Sequence, residues 1–446
     1  MNTFDQAIPE GYKQTEVGII PKDWVICTID ELAAIIDPQP DHRTPPESST
    51  GEPYIGISDF INNKEVDWAS SRKVISKTVD KQEKSFQIKN GDIVFGKIGT
   101  IGVPKFVPQV PFRFALSANV ILLQPKKVEP VYLMEFFYSE LFQQTLKAEL
   151  HSTSQAAFGM NKMRLIKVPL APKEEQIAIA NALSDVDALL TELEKLIAKK
   201  QAIKTATMQQ LLTGKTRLPQ FATYAVGEKQ GQPKGTKPSE LGEIPDDWNV
   251  KSVGEFTDCS AGGTPSTQVS AYWGGSNPWM SSGELHLKRV YDVAERITDL
   301  GLANSSTKFI PKNSVLMGLA GQGKTRGTVA ISKIKLCTNQ SIATIFPSKM
   351  HSTDYLFYNL DNRYKELRSL STGDGGRGGL NLSIIRNLKL PFPDLEEQTA
   401  IATILSDMDS EIQALEQRLA KTHQIKQGMM QELLTGRTRL PFKKES

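Results

Sequence analysis

The stretch from Gly318 to Thr325, GLAGQGKT, has the GxxxxGK[ST] spacing of a loop whose backbone N–H groups and lysine cradle phosphates, and a strand-like SVLM precedes it. Such a loop works when a helix N-terminus follows the lysine, so that free N–H groups and the helix dipole meet the phosphate charge. Here the chain continues RGTVAIS, which is β-branched and reads as a strand. The matching stretch of the first half, FGKIGTIGVPKF, lacks the pattern. A glycine-rich hairpin is the preferred reading, and a nucleotide-binding loop over Gly318–Thr325 stays as the alternative.

A hairpin would present Gln322, Lys324 and Arg326. Arginine pairs in bidentate fashion with guanine, glutamine with adenine, and lysine holds guanine or phosphate, so these are candidate nucleic-acid contacts. Their counterpart in the first half is Lys97 in GKIGT. Asn339 and Gln340 in CTNQS, and Asn119 in SAN, either read base edges or satisfy buried backbone, and the sequence leaves both open. Arg377 lies among the glycines of STGDGGRGGLN, a loop that either follows a groove or simply leads back to a helix; the first half has STSQAAFGMN there.

Nothing else in the chain is spaced for chemistry. Asn277 opens NPWM, which lacks the second proline of an amino-methyltransferase motif, and no glycine-rich cofactor loop accompanies it. The five histidines are scattered, none at metal spacing with a cysteine or another histidine. A non-catalytic chain without a cofactor or metal is expected. Cys27, Cys259 and Cys337, odd in number, argue against a disulfide framework and for a reducing compartment. With no signal-like start and no apolar run near the ~18 residues of a membrane span, a cytoplasmic protein is expected. The net charge of +3 is too balanced to mark a nucleic-acid binder, so any such contact must come from local patches.

The elements that position these residues come in two copies. Glu174 to Pro219 begins EEQIAIANALSDVD and ends LLTGKTRLP; Glu396 to Pro441 begins EEQTAIATILSDMD and ends LLTGRTRLP. Apolar residues alternate three and four apart, at Leu183, Val186, Leu190, Leu193 and Ile197 and at Leu405, Met408, Ile412, Leu415 and Leu419, which is a coiled-coil seam. Acids in the first turn after Pro172, and a capping box of Asp394 with Glu397, mark the starts; Gly214 and Gly436 mark the stops. A helix from Glu174 to Leu212 would be roughly 58 Å long at ~1.5 Å per residue. An exposed helix of that length with an apolar stripe needs a partner, and the other copy, in antiparallel pairing, is favoured. The stripe turns polar beyond Ile197, with Lys200 and Lys204 in one copy and Thr422 and Lys426 in the other.

The repeat extends outward: EVGIIPKDW, ending at Trp24, is answered by ELGEIPDDW, ending at Trp248. Short strands are expected at Tyr54–Ile57, Ile93–Phe95, Val120–Leu123, Val315–Met317, Val329–Ile331 and Ile342–Phe346, and helices at Val131–Glu149 and Asp354–Ser369. The fold class is α+β: two mixed α/β domains separated by two long helices pairing as an antiparallel coiled coil, with an internal pseudo-twofold repeat. The divisions are 1–165 for the first domain, 166–219 for the first spacer helix and 220–239 for a Gly, Lys and Pro-rich linker. Residues 240–389 form the second domain and 390–446 the second helix.

The repeated opening, the PKEEQIAI and PDLEEQTAI helix starts and the LLTGKTRLP and LLTGRTRLP exits resemble the specificity subunits of type I restriction-modification systems, over essentially the whole chain. The resemblance implies that residues about 17–165 read one half of a split, asymmetric site on double-stranded DNA and residues about 241–385 the other. It also implies that the helices form an antiparallel spacer docking two methyltransferase subunits, with or without restriction (translocase/nuclease) subunits. A coiled-coil scaffold that binds no DNA is the other alternative.

Overall fold

The computed structural model describes residues 8–151, 158–321, 324–370 and 379–441. Contacts divide the chain into two units. Unit 1 is Met1–Glu194 with Gln417–Ser446, and unit 2 is Lys195–Glu416. Each unit therefore holds one globular part, the near portion of one long helix and the far portion of the other.

In unit 1 a hairpin, Tyr12–Thr15 with Gly18–Pro21, opens the chain. Val25–Thr28 then pairs antiparallel with Lys167–Leu170, the strand that leads into the first long helix. Thr28 and Glu31 form a capping box that starts the short helix Ile29–Leu32. The main sheet is antiparallel, in the order Ala33–Ile36, Val120–Pro125, Ile93–Gly96, Pro104–Phe106. Its two central strands are buried on both faces, which is why they read as unbroken apolar runs. Ile93, Phe95, Ile121 and Leu123 face one core with Phe137 and Phe142, while Val94, Val120 and Leu122 face another with Ile55 and Leu116. A second sheet orders Arg72–Val74, Glu47–Ile55 and Ala115–Leu116.

Unit 2 repeats the plan. Its opening hairpin is Thr236–Ser239 with Gly242–Pro245, so a strand forms at the end of the linker stretch. Asn249–Ser252 pairs with Lys389–Phe392. The main sheet gains a strand, in the order Cys259–Ala261, Ile342–Ile345, Val315–Gly318, Val329–Ser332, Arg289–Val290. Beside it lies a sheet of Glu295–Ile297, Trp273–Met280 and Cys337–Thr338.

Each expected domain helix is broken in two. Pro130–Tyr138 gives way to Glu140–His151 because Ser139 is extended and its Oγ accepts the Phe142 N–H at 3.3 Å, capping a new helix. Thr353–Asn362 and Tyr364–Ser369 are parted at Arg363, whose backbone leaves the helical region without a side-chain cap.

The long helices, Lys173–Leu211 and Leu395–Leu433, run 39 residues each. Leu183, Leu190, Leu193, Ile197, Leu405 and Ile412 of the expected seam are buried. In unit 1 Lys426 of the second helix pairs with Asp187 of the first at 2.7 Å. In unit 2 Lys200 pairs with Glu411 at 2.6 Å and Lys204 with Asp409. In unit 2 rising numbers on the first helix meet falling numbers on the second, and in both units the lysines that interrupt the apolar stripe are the ones paired. Both helices stop at a glycine with positive φ, 72° at Gly214 and 69° at Gly436, a conformation costly for other residues.

The repeated motifs meet one another. In unit 2 the Arg217 guanidinium straddles Glu397, at 2.6 and 2.7 Å, and Asp247, at 2.8 and 3.1 Å, and the buried Trp248 indole donates to Glu397 at 2.9 Å. In unit 1 Arg439 does the same with Glu175 and Asp23, and Trp24 donates to Glu175 at 3.0 Å. So the opening DW, the EEQ at one helix start and the TRLP at the other helix's exit form one lock per unit. The Asp394 capping box is half made: Asp394 accepts the Glu397 N–H at 2.8 Å, but the Glu397 carboxylate goes to the arginine and tryptophan instead. The glutamine of EEQ works outward. Gln176 accepts the Glu129 N–H, and Gln398 the Ser352 N–H, each at 2.9 Å, tying the start of each domain helix to the start of a long helix.

Candidate nucleic-acid interface

At one end of each main sheet three segments converge through the same backbone hydrogen bonds. In unit 1 the Lys97 N–H donates to the Asn119 carbonyl at 2.9 Å, and the Phe158 N–H to the Lys97 carbonyl at 3.0 Å. In unit 2 the Leu319 N–H donates to the Ser341 carbonyl, and the Leu380 N–H to the Leu319 carbonyl, each at 2.8 Å. The turn after the central strand folds tightly back in both. A Cβ on Gly96 would lie 1.9 Å from the Thr100 carbonyl oxygen, and one on Gly318 would lie 2.2 Å from that of Thr325. The neighbouring turn is braced alike: Ser117 Oγ accepts the Asn119 N–H at 3.2 Å, and Asn339 Oδ1 the Ser341 N–H at 3.1 Å.

On this common backbone the side chains differ. Lys97 stands where unit 2 has Leu319, and Asn119 where unit 2 has Ser341. Lys97 is not the exposed cation expected: it is 6% exposed, and its Nζ donates to Asp37 at 2.8 Å. That pair lies against a cleft of about 540 Å³ walled by His42, Ile98, Phe158 and Met160. Asp37 and His42 were invisible as site residues in the sequence, because IIDPQPDHR carries no motif; His42 has φ 51° and approaches Asp37 at 3.7 Å. Asn119 is exposed.

In unit 2 Lys324 is exposed on the turn, while Arg326, expected beside it at the surface, is 9% exposed. The turn reverses the chain, so residues two apart are not held on one face. Asn339 takes the backbone option left open above, since its side-chain oxygen braces the turn. Gln340 is exposed and accepts a hydrogen bond from the Thr264 hydroxyl, a partner from a distant segment that no local pattern announces. Gln322 and Arg377 lie outside the described residues. The phosphate-loop alternative fails on geometry: after Lys324 comes a turn and then the strand Val329–Ser332, antiparallel to Val315–Gly318, so the helix N-terminus that phosphate binding requires is missing from this position. Among the described residues no group of three or more His, Cys, Asp or Glu could hold a metal, and no helix is long and apolar enough to cross a membrane. All three cysteines are free.

The family described as type I restriction modification DNA specificity domain matches residues 21–205 and, a second time, 245–426. The chain belongs to that family. The family segments begin within the opening hairpins and end in the long helices, so each match takes in one recognition domain and most of a helix. A putative type I restriction enzyme MjaX specificity subunit from Methanocaldococcus jannaschii is 26% identical over 97% of both chains, and the MjaVIII specificity subunit of the same organism is 25% identical over 97% of this chain and 96% of that one. Among solved structures, the type I restriction-modification system S subunit from M. genitalium is similar with a TM-score of 0.55 at 14% identity, covering 95% of this chain and 97% of that one. A chain from a study of complex assembly of the type I R-M system gives 0.53 at 17% identity, covering 94% and 99%. These likenesses support the fold.

Proposed function

We propose that this chain is the non-catalytic specificity subunit of a type I restriction-modification complex, and that each unit reads one half of a bipartite, asymmetric site on double-stranded DNA. What carries the assignment to halves is one observation: the two units share the backbone bonds of the converging turns yet place different side chains on them. A common scaffold with unlike side chains is what two readers of unlike sequences require, because base identity is read by donors and acceptors on side chains while the scaffold only aims them. The exposed Asn119 in unit 1, and Lys324 with the Gln340–Thr264 pair in unit 2, are the proposed reading residues. Lys97 with Asp37 would act from the cleft floor in unit 1, and Gln322, Arg326 and Arg377 remain candidates from their sequence positions alone.

The two long helices, with their falling-against-rising ion pairs and buried apolar seam, are proposed to pair as an antiparallel coiled coil. Methyltransferase subunits, and restriction subunits where present, would supply the chemistry in the cytoplasm. The test is to express the chain with its methyltransferase subunit, map methylated positions in the host DNA, and repeat with residues 25–166 exchanged for those of a relative. One half of the mapped site should change while the other stays. A change in both halves, or in neither, refutes the assignment.

A further inference from the structure

Where each recognition domain meets the long helices, the repeat leaves a charged junction with unequal charge. Lys204 and Lys426 occupy the same position of the repeated helix, as do Asp187 and Asp409, and they pair crosswise: Lys426 with Asp187 and Lys204 with Asp409. The third member comes from the domain's own helix. Glu135 follows Tyr132, and Tyr358 follows Tyr355, at the same interval; the two earlier tyrosines donate to the carbonyls of Pro169 and Pro391, so the helices are anchored alike.

In unit 2 that third member is neutral. The Tyr358 hydroxyl donates to Asp409 at 2.7 Å and accepts from Arg289 at 3.0 Å, and Arg289 in turn pairs with Asp354. Each carboxylate has its cation. In unit 1 the third member is Glu135, 4% exposed, whose oxygens lie 3.2 and 3.1 Å from Lys426 Nζ. One ammonium faces two carboxylates. Tyr138, on the same helix, adds no charge, because its hydroxyl is committed to Asn63 and the Pro104 carbonyl, each at 2.9 Å.

Both junctions are wired to the reading turns. Pro104 begins the strand paired with Ile93–Gly96, which runs into Lys97. Arg289 begins the strand paired with Val329–Ser332, which returns from the turn holding Lys324.

We propose that Glu135, Lys426 and Asp187 position the first recognition domain on its helices in a proton-dependent way, whereas Lys204, Asp409 and Tyr358 position the second without a proton. The reading of one half-site then weakens relative to the other as pH rises towards neutrality. This rests on the half-site reading above. Burial raises the Glu135 carboxyl, Lys426 opposes the rise, and Asp187 adds to it, with the result near 7. An undocked glutamate ionises near 4.5, so the docked form holds the extra proton between those values and loses its advantage as pH climbs through them.

The test uses the full chain, with Glu135→Gln and, should that fold poorly, Glu135→Tyr, which copies the other unit. Thermal unfolding is followed from pH 5 to 8, and binding is measured to a duplex carrying the mapped site and to two duplexes with one half scrambled. Wild type should lose Tm against E135Q as pH rises and level off above about 7.5. Its affinity relative to E135Q should fall at least about threefold between pH 5.5 and 8, the docking equilibrium itself shifting by up to about tenfold per pH unit. The loss should be confined to the first half-site. A Tm difference that does not vary with pH overturns the junction. A varying one with equal effects on both halves overturns the positioning role, and one with no sequence preference in binding overturns the half-site reading while the junction stands.

Discussion

Arg439→Met should loosen unit 1 while leaving unit 2 intact, and the geometry sets how much. Glu175 is fully buried and accepts two bonds from the Arg439 guanidinium, at 2.6 and 2.7 Å. Without the arginine its carboxylate keeps only the Trp24 N–H. Removing one partner of a buried ion pair costs about 3–5 kcal/mol, chiefly because the remaining charge is stranded. Arg439 is 32% exposed, so water reaches the gap and screening brings the cost below that range: about 2–3 kcal/mol, or roughly 30- to 150-fold in the opening equilibrium of unit 1. Arg217, only 10% exposed over Glu397, should cost about 3–5 kcal/mol in unit 2. Hydrogen exchange read by mass spectrometry separates the units. With R439M, peptides spanning 25–32 and 130–138 should exchange faster, while those from 249–256 and 353–362 keep wild-type rates. Because the cost is a stranded charge, Glu175→Gln in the same chain should recover about 2 kcal/mol. If R439M and R439M/E175Q are equally loosened, or if R439M leaves exchange in unit 1 unchanged, the lock is not what joins the two ends of the chain there.

Three further outcomes follow from the same geometry. Gly96→Ala or Gly318→Ala forces a Cβ into a carbonyl oxygen and should abolish reading of one half-site each, with the other half unchanged in the methylation map. Asn119→Ala should relax the first half-site and Gln340→Ala the second, each by about 1–3 kcal/mol at one base pair; competition with single-base variants of the site measures this. Burial pushes His351 down to about 4 from 6.5, so unit 2 should lose up to about 3 kcal/mol as pH falls from 6.5 through 4; His351→Gln should flatten that stretch of the unfolding profile.

The long helices were legible to within a residue at either end because their signals are local: an apolar spacing, acids at the start and a glycine at the stop. So were the strands at Ile93, Val120, Val315, Val329 and Ile342, whose β-branched runs need only a buried sheet. The breaks at Ser139 and Arg363 were not, since both sequences keep helical spacing through them and one residue's backbone conformation, extended at Ser139, interrupts it. The site was half legible. The hairpin at Gly318 could be told from a phosphate loop by the β-branched residues that follow it. The burial of Lys97 and Arg326 could not, because it depends on Asp37, some sixty positions away in the chain for Lys97, and on which face a turn presents. Gln340 gained its partner from Thr264 by sheet pairing, which carries no local signature either.

Why the motifs repeat while the domains diverge follows from where each residue acts. Arg217, Asp247, Trp248 and Glu397 form one hydrogen-bonded set, as do Arg439, Asp23, Trp24 and Glu175, and exchanging the arginine or the glutamate strands a buried charge or an indole N–H. Four residue types in three distant segments are therefore held together by one cost, and they look alike in both units. The converging turns proposed to read DNA face a looser constraint. Their hydrogen bonds run between backbone atoms, Lys97 to Asn119 in one unit and Leu319 to Ser341 in the other, and any side chain can ride on them. A chain built this way can change what it reads without disturbing what holds it together, as long as the glycines at 96 and 318 let the turn fold back. The unequal junctions at Glu135 and Tyr358 lie between the two regimes: they touch the repeated helices on one side and the divergent domain on the other. That is where a difference between the two domains first reaches the repeated helices.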